Sequence, residues 1–272
     1  MRASRAGPLA AEALASVRRG RVVSVHARAV NLLFGEGPLV ALLPAEAPLH
    51  PWALSVALDP AAFAWLAEGD VATVSADVLE AGPLKIELED VPVVELRLSQ
   101  RLKILPRARV RALARLVRPA AVEDPFQEVL DTALEKFQAG GKAEDLTAIV
   151  GVGGGLTPSG DDLIAGVLAG LDAAHWLNRE APGLRQDIVV ALGNCVARTT
   201  RLSAQMLAAA AARLYAEPVL GVLEALCDGD AAPTVLEQAV DSLLAVGHRS
   251  GTDTLRGIVA ALEHVAGGGR RC

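Results

Sequence analysis

Aromatic residues and cysteines are both scarce in this chain. Aromatics make up 3% of the 272 residues, whereas hydrophobic residues of all kinds make up 52%. The core must therefore consist mainly of Ala, Leu and Val, whose small size lets helices approach each other closely. The three cysteines, Cys195, Cys227 and Cys272, form neither a CxxC pair nor an even set. This pattern favours a reduced, intracellular setting over a secreted one.

Long apolar runs and a basic excess are also missing. The apolar stretches are interrupted by Asp172, His175 or Arg213, before they reach the roughly 20 residues that a membrane-spanning helix needs. The formal net charge of −6 argues against nucleic-acid binding, which usually requires a basic domain. The segment 1–21 lacks the apolar centre and cleavage pattern of a signal peptide. We therefore expect a cytoplasmic protein with no membrane or nucleic-acid partner.

The hydrophobic pattern of the sequence changes near residue 100, and the length of the chain allows two domains. We predict an α+β protein with an antiparallel β-rich N-terminal domain, a small barrel or sandwich, over 1–100. A basic linker or helix follows over 101–123, and a mostly α-helical domain covers 124–272. These predictions rest on short alternating runs in the first part and helical spacing in the last.

In the N-terminal part, residues 9–19 have helical spacing, and we expect Gly20 to end that helix. The turn sequence at 35–38 predicts a hairpin between the runs on either side of it. The predicted strands lie within 22–34, 39–43, 52–58, 71–82 and 84–98, with a short helix at 61–69.

The C-terminal part begins with a basic segment, 101–118. Its arginines either form a solvated helix face between the domains or reach an anionic ligand or an acidic partner. Asp124 and Pro125 predict the start of a helix that ends at Gly140 and Gly141. Further helices are predicted near 161–178, 185–197, 202–215, 217–227, 233–246 and 252–266.

The most informative stretch is Gly151–Gly166, GVGGGLTPSGDDLIAG, which we call box one. Its glycines allow positive φ and close approach to a ligand, and Pro158 and Ser159 favour a helix start. The N–H groups and positive dipole end of such a helix suit a small anion, although a purely structural turn is also compatible. The loop is not a Walker loop, and Leu156 stands where a dinucleotide fingerprint needs glycine.

Two adjacent aspartates, Asp161 and Asp162, complete box one. Carboxylates at a helix start complement the dipole, orient a substrate amide or hold a divalent cation. The residues leave these roles open, so the cofactor is unknown and magnesium is the candidate.

Two more polar boxes precede apolar helical runs. The middle box, Thr199–Gln205, offers the hydroxyls and arginine of a phosphate or carboxylate site, and helix capping explains it equally well. Box three, Gly247–Thr254, contains His248, either an acid–base group or a surface histidine. Asp253 either caps the helix or joins the aspartates of box one. We expect the three helix starts to converge on one pocket.

The sequence GGGLTPSGDDLIAG at 153–166, followed by GHRSGTDTLRGI at 247–258, resembles the family that includes the AllH subunit of oxamate carbamoyltransferase. That family has a GLTPSGDD box, a middle Thr/Ser box and a late Gly-x-x-Ser-Gly-x-Asp box. All three are present here, whereas Leu163 replaces a common phenylalanine. The resemblance extends loosely over the strand-rich region from Arg21.

The resemblance implies a transferase subunit that works with two other proteins in allantoin degradation, a branch of purine catabolism. The complete system is a carbamoyltransferase that interconverts oxalurate and phosphate with oxamate and carbamoyl phosphate. The Ser-Thr-Arg-Thr and His-Pro-x-Gln motifs of aspartate and ornithine carbamoyltransferases are absent from this chain. A different solution to carbamoyl transfer is therefore implied.

We predict His248 and Asp162 as the acid–base groups of a small-anion site. The predicted substrate-binding residues are Gly154, Gly155, Thr157, Ser159, Gly160, Asp161, Thr199, Thr200, Arg201, Ser203, Ser250, Gly251 and Asp253. One alternative is a non-catalytic binding or assembly subunit of a multi-protein complex. The other is a metal-dependent enzyme that uses the aspartates of boxes one and three.

Overall fold

The computed structural model describes residues 1–98, 107–117, 125–174 and 182–267. The chain divides into two compact units, Met1–Leu96 and Arg97–Cys272. Within the described ranges, no helix combines the length and apolar character needed to cross a membrane.

The first unit is built on one sheet of eight strands. The strands are β1 (Ala3–Ala6), β2 (Arg19–His26), β3 (Ala29–Phe34), β4 (Leu39–Pro44), β5 (Ala53–Val56), β6 (Val71–Ser75), β7 (Val78–Ala81) and β8 (Leu84–Glu87). Their order is β1-β5-β4-β3-β2-β6-β7-β8, and only β4 and β5 pair in parallel. Arg2, just before β1, forms a bridge with Glu87 at the end of β8, so the sheet is nearly closed. The predicted antiparallel, barrel-like α+β arrangement is confirmed.

Alternating residues of the strands build the core of this unit. In β3, Val30, Leu32 and Phe34 are fully buried in one cluster, as period-two alternation requires. Helix α1 (Pro8–Ser16) adds small residues, including Ala10, to the same cluster. A 3₁₀ helix follows β5 at Pro60–Trp65, where a short helix was predicted.

Several boundaries of the first unit differ from the predictions. Helix α1 ends at Ser16, and Gly20 lies inside β2, where an added Cβ would be 2.4 Å from the Leu33 carbonyl oxygen. The run 22–34 contains two strands, because the chain reverses at 27–28 without a glycine or proline to signal the turn. Strands β6 and β7 are likewise separated by a turn at Ala76, a non-glycine residue with a φ of 49°.

The second unit is helical. Its helices are α2 (Arg107–Leu116), α3 (Gln127–Gly140), α4 (Ala143–Thr147), α5 (Ser159–Ala174), α6 (Pro182–Gly193), α7 (Arg201–Ala211), α8 (Glu217–Cys227), α9 (Pro233–Leu244) and α10 (Ser250–Gly267). The predicted stop of α3 is confirmed, since Gly141 is left-handed with a φ of 63°. The predicted cap Asp124 lies outside the described residues.

Helices α5 and α10 pack backbone against backbone at the centre of this unit. All 16 residues of α5 are buried. A Cβ added at Gly166 would lie 2.1 Å from the Thr254 carbonyl oxygen, and one at Gly257 would lie 2.1 Å from that of Leu163. The glycines therefore set the distance between the two helices, and boxes one and three lie at the starts of these helices.

The basic segment is only partly described, since Arg101, Lys103 and Arg118 lie outside the described residues. Arg109 on α2 donates to the Ala225 carbonyl at 2.7 Å and to that of Ala231. These carbonyls lie at and beyond the end of α8, where a positive side chain is favourable. The role of Arg109 is therefore neither of the two that the sequence suggested.

A buried polar cluster at the far end of α5 was not predicted. Arg185 donates from Nε to Asp172 Oδ1 at 2.5 Å, and the Tyr215 hydroxyl donates to Oδ2 at 2.5 Å. Arg185 also donates to the Ala210 carbonyl at 3.0 Å. Burial, the Asp172 charge and the hydrogen bond to Asp172 raise the pKa of Tyr215. The cluster joins α5 and α6 to the end of α7, and its polar atoms bond within the protein.

Candidate functional site at the starts of helices α5 and α10

The glycine loop of box one connects α4 to α5. Gly151 has a φ of 77°, and a Cβ there would lie 2.4 Å from the Arg198 carbonyl oxygen. Gly153 has a φ of 125°, and its Cβ would lie 2.5 Å from the Ser159 nitrogen. Gly154 differs, because its φ is not positive and no atom lies within 4 Å of an added Cβ. Backbone geometry thus explains Gly151 and Gly153 but not Gly154.

The loop amides after Gly153 form no hydrogen bond with the described residues. In the described part of the chain, no residue accepts a hydrogen bond from the backbone N–H groups of 154–157. Residues 154–156 are exposed and Thr157 is half-buried. The loop therefore offers a row of backbone donors at the start of α5, which is the arrangement that binds small anions.

Asp161 is fully buried and accepts three hydrogen bonds. The Gly151 amide donates to Oδ1 at 3.0 Å, Ser203 Oγ donates to Oδ2 at 2.7 Å, and Thr199 Oγ1 also donates to Oδ2. The carboxylate thus ties the loop to the start of α7. The Thr199 and Ser203 hydroxyls of the middle box therefore donate to a carboxylate of the protein itself.

Thr200 also has a structural role. Its Oγ1 accepts from the Ser203 amide at 3.1 Å, which caps α7, and donates to the Leu156 carbonyl at 2.6 Å. The capping interpretation of Thr200 is therefore correct. Arg201 is exposed as the first residue of α7.

Box one meets box three through hydroxyl groups. Thr157 Oγ1 lies 2.9 Å from Ser250 Oγ, and both hydroxyls act on the Asp162 carboxyl by lowering its pKa. Asp162 is 2% exposed. The three predicted segments therefore come together in space, with the middle box joined through Asp161 and box three through Asp162.

Asp162 has an unusual electrostatic environment. Burial raises its pKa from 3.8 to about 8, and the charges of Asp253 and Asp161 add to this rise. The hydrogen bonds from Ser250 and Thr157 act in the opposite direction, because they favour the carboxylate. A buried acid that titrates near neutral pH is a candidate proton donor and acceptor.

Asp253 belongs to a closed ring of five side chains that joins α10 to α3. Arg256 Nη1 donates to Asp253 Oδ1 at 3.2 Å and Arg256 Nη2 donates to Asp131 Oδ1. Gln127 donates to Asp131 at 2.8 Å and accepts from Arg249 at 2.9 Å. Arg249 Nε lies 3.7 Å from Asp253 Oδ2, which closes the ring. Two arginines and two aspartates make the ring formally neutral.

One oxygen of this ring, Asp253 Oδ2, makes a 3.7 Å ion pair with Arg249 Nε but no hydrogen bond. Asp253 is fully buried, and its Oδ2 has no hydrogen-bond partner among the described residues. The atom belongs to the first turn of α10, on the residue whose charge acts on Asp162.

Comparison with known protein families fits this two-part structure. A model described as "Oxamate carbamoyltransferase subunit AllH" matches residues 149–262. A second, described as the AllH family N-terminal domain, matches residues 3–93. The chain belongs to the AllH family. No solved structure matches it.

The AllH models coincide with the structural features described above. The longer match begins just before the glycine loop and includes all three boxes and both arginines of the ring. The N-terminal match covers the whole eight-stranded sheet. The resemblance inferred from the sequence is therefore confirmed.

The remaining predicted residues of this AllH family member occupy different positions. Gly160 and Gly251 are packing positions, since a Cβ would lie 2.0 Å from the Ile149 carbonyl oxygen and 1.9 Å from that of Leu243. Ser159 is buried at the start of α5, and Gly155 is exposed. His248 is exposed in the turn before α10.

Sequence reasoning missed the ring on α3 and α10. The spacing of Asp253 and Arg256, three residues apart on one helix, was an available signal. No sequence signal pointed to Gln127 and Asp131, because their contacts with Arg249 and Arg256 join segments that are far apart in the chain.

The acidic residues do not assemble a recognisable metal centre in the described part of the chain. No group of three or more His, Cys, Asp and Glu side chains there is arranged to hold a metal ion. The metal-dependent alternative consequently rests on the sequence alone.

Proposed function

We propose that the second unit binds a small anion at the starts of α5 and α10, as part of an oxamate carbamoyltransferase. The candidate ligands are carbamoyl phosphate, oxamate and oxalurate. The observation that carries this proposal is the row of loop amides at 154–157, which donate to no described residue. They lie next to the hydroxyl contact between Thr157 and Ser250.

The electrostatics of the site are compatible with an anion despite three nearby aspartates. Asp161 is satisfied by three donors, and Asp253 is flanked by Arg249 and Arg256. The positive ends of two long helices meet at the loop. In carbamoyl transfer, preorganised N–H donors would stabilise the negative charge that develops on the carbonyl oxygen.

Asp162 and His248 are the proposed acid–base groups. Asp162 has the raised pKa of about 8 and contacts hydroxyls from both boxes. His248 is exposed in the turn that leads into α10, where it can reach a ligand or a partner chain.

A second candidate, a binding or assembly subunit without its own turnover, is favoured by the word "subunit" in the family description. The two candidates differ in one measurement. Carbamoyl transfer by the purified chain alone supports the catalytic role. Activity only with co-purified partner chains, unchanged by Asp162→Asn or His248→Ala, supports the binding role.

The anion site is tested by titration calorimetry with oxamate, carbamoyl phosphate and phosphate, each with and without magnesium. We expect Gly154→Ala to weaken binding about tenfold or more, because a methyl group on the exposed loop would take up open space that a bound anion needs. The fold should be unaffected, since no atom lies within 4 Å of the added Cβ.

Gly229→Ala is the matched control. Gly229 is also exposed, with a φ that is not positive and open space around an added Cβ, but it lies in the turn after α8. It should leave binding unchanged. Failure of the wild type to bind any of the three anions, alone or with partner chains, would overturn the proposal.

A further inference from the structure

The exposed face of α2 carries three arginines in one line. Arg107, Arg111 and Arg115 are all exposed, and their spacing of four residues places them on one side of the helix. At a rise of about 1.5 Å per residue, neighbouring arginines are about 6 Å apart along the axis, and the line is about 12 Å long. The other exposed residues of α2 are Ala108 and Ala112. We call these five residues the arginine stripe.

The opposite face of α2 fixes the helix within the second unit. Val110 and Leu113 are buried, and Arg109 donates to the Ala225 carbonyl of α8 at 2.7 Å. The helix also packs against α9 and α10. The arginine stripe is therefore presented by a helix whose orientation is set by buried contacts.

The three arginines of the stripe have no partners in the described part of the chain. None of their side chains forms an ion pair or a hydrogen bond there, whereas the exposed Lys85 pairs with Glu80 at 2.7 Å. Helix α2 contains neither Asp nor Glu, although acidic residues outnumber Lys and Arg by 32 to 26 in the whole chain. The composition of the chain therefore does not account for the stripe.

The arrangement works against the stability of α2. Like charges four residues apart on a helix repel each other, and the stripe contains two such pairs. A solvated helix face usually mixes both signs, so that residues four apart attract each other. An unmixed line of arginines indicates that the compensating negative charges come from outside the helix.

We propose that the arginine stripe docks an acidic helix face of another protein chain. The guanidinium groups would form bidentate hydrogen bonds with carboxylates. Glutamates four residues apart on the partner helix repeat the spacing of about 6 Å, and the two small alanines leave room for that helix between the arginines. The proposal does not depend on the anion site, so the two can fail separately.

A nucleic acid is the less favourable occupant. The stripe has no aromatic residue on which a base could stack. Nucleic-acid binding also usually requires a basic domain, whereas this chain has a net charge of −6. A protein partner needs only local charge complementarity at the contact.

The docking surface is tested with a helical peptide that has three glutamates, four residues apart, in an alanine-rich frame. Fluorescence anisotropy at low ionic strength should show that it binds the full-length wild type, and added salt should weaken this binding. The triple variant Arg107→Gln/Arg111→Gln/Arg115→Gln should bind about tenfold more weakly, because three exposed ion pairs are lost. A peptide with glutamine in place of glutamate should not bind. Absence of wild-type binding to the acidic peptide would overturn the proposal.

The matched control is Arg19→Gln/Arg21→Gln/Arg28→Gln, which removes the same charge from exposed positions on β2 and in the turn after it. It should bind the acidic peptide as the wild type does. Equal losses in the two triple variants would show a general effect of net charge and refute the stripe. Single-stranded poly(U) should not displace the peptide, and displacement would identify a nucleic acid as the occupant instead. The stripe variant should unfold at the same or a higher temperature than the wild type, because it loses only like-charge repulsion.

Discussion

The starts of α7 and α10 contain similar residues and use them in opposite ways. At α7, the hydroxyls of Thr199 and Ser203 donate to one carboxylate, Asp161, which accepts three hydrogen bonds in all. At α10, the Ser250 hydroxyl lies 2.9 Å from the Thr157 hydroxyl of the loop, and the nearby Asp162 is buried with its pKa raised to about 8. Adjacent aspartates of one sequence box therefore have different surroundings.

The difference lies in the balance of donors and acceptors. Where donors match acceptors, as around Asp161, the polar groups hold segments together. Around Asp162, burial and the charges of Asp253 and Asp161 outweigh the effect of the two hydroxyls, and the pKa is raised. Residue type alone does not separate a structural group from a functional one.

The largest expected effect on stability is at Asp161, at the start of α7. Asp161→Asn should lower the free energy of unfolding by about 3 kcal/mol, because an amide cannot accept from all three donors and leaves buried groups unpaired. Urea denaturation measures this effect. Asp187→Asn, on the exposed side of α6, is the control and should change stability by less than about 0.5 kcal/mol. Equal effects would show that the α7 start is not held by Asp161.

The raised pKa of Asp162 should make the free energy of unfolding depend on pH in a distinctive way. The folded protein keeps the Asp162 proton up to about pH 8, whereas an unperturbed Asp releases it near 3.8. Between these values the folded state binds more protons, so the free energy of unfolding falls as pH rises. The fall is at most about 1.4 kcal/mol per pH unit and stops above the raised pKa.

Denaturation of wild type and Asp162→Asn across this pH range isolates that contribution. The difference between the two curves should slope between pH 3.8 and about 8, and then become flat. Parallel curves would show that Asp162 ionises normally, and the comparison between the two helix starts would lose its basis.

A pair of hydroxyl deletions should sharpen the comparison with smaller effects. Thr200→Ala removes the cap of α7 and should cost about 1 kcal/mol of stability. Ser250→Ala removes a bond that favours ionised Asp162, so the pKa of Asp162 should rise further in an infrared titration. Thr200→Ala should leave that titration unchanged. A lower pKa in Ser250→Ala would contradict the assigned direction of this hydrogen bond.

The sequence predicted the architecture well because its local signals agree with the fold. Helical spacing and Gly141 located α3, and alternation located the strands of the sheet. The boundaries that failed had no local signal, such as the turn at Ala76, where a residue without turn preference has a positive φ. Gly20 was wrongly predicted to end a helix. A glycine is needed there because the Leu33 backbone of the neighbouring strand lies too close for a side chain.

The candidate site was predictable in its location more than in its chemistry. The boxes identified Asp161 and Asp162, but their roles depend on which distant hydroxyls reach each carboxyl. Likewise, Gln127, which accepts a hydrogen bond from Arg249, lies 122 residues away on α3, so spacing could not reveal this contact. Long-range contacts decide protonation and pairing, and a sequence motif does not encode them.

The glycine contacts between α5 and α10 have a further consequence. Because backbone atoms meet directly at Gly166 and Gly257, no side chain acts as an adjustable spacer at these two positions of the box-bearing helices. Substitutions elsewhere in the core can alter how tightly the unit is packed, but they have little means of widening or narrowing the gap between Thr157 and Ser250. The ligand specificity of such a site would then diversify through the residues at its rim, while its width stays constant.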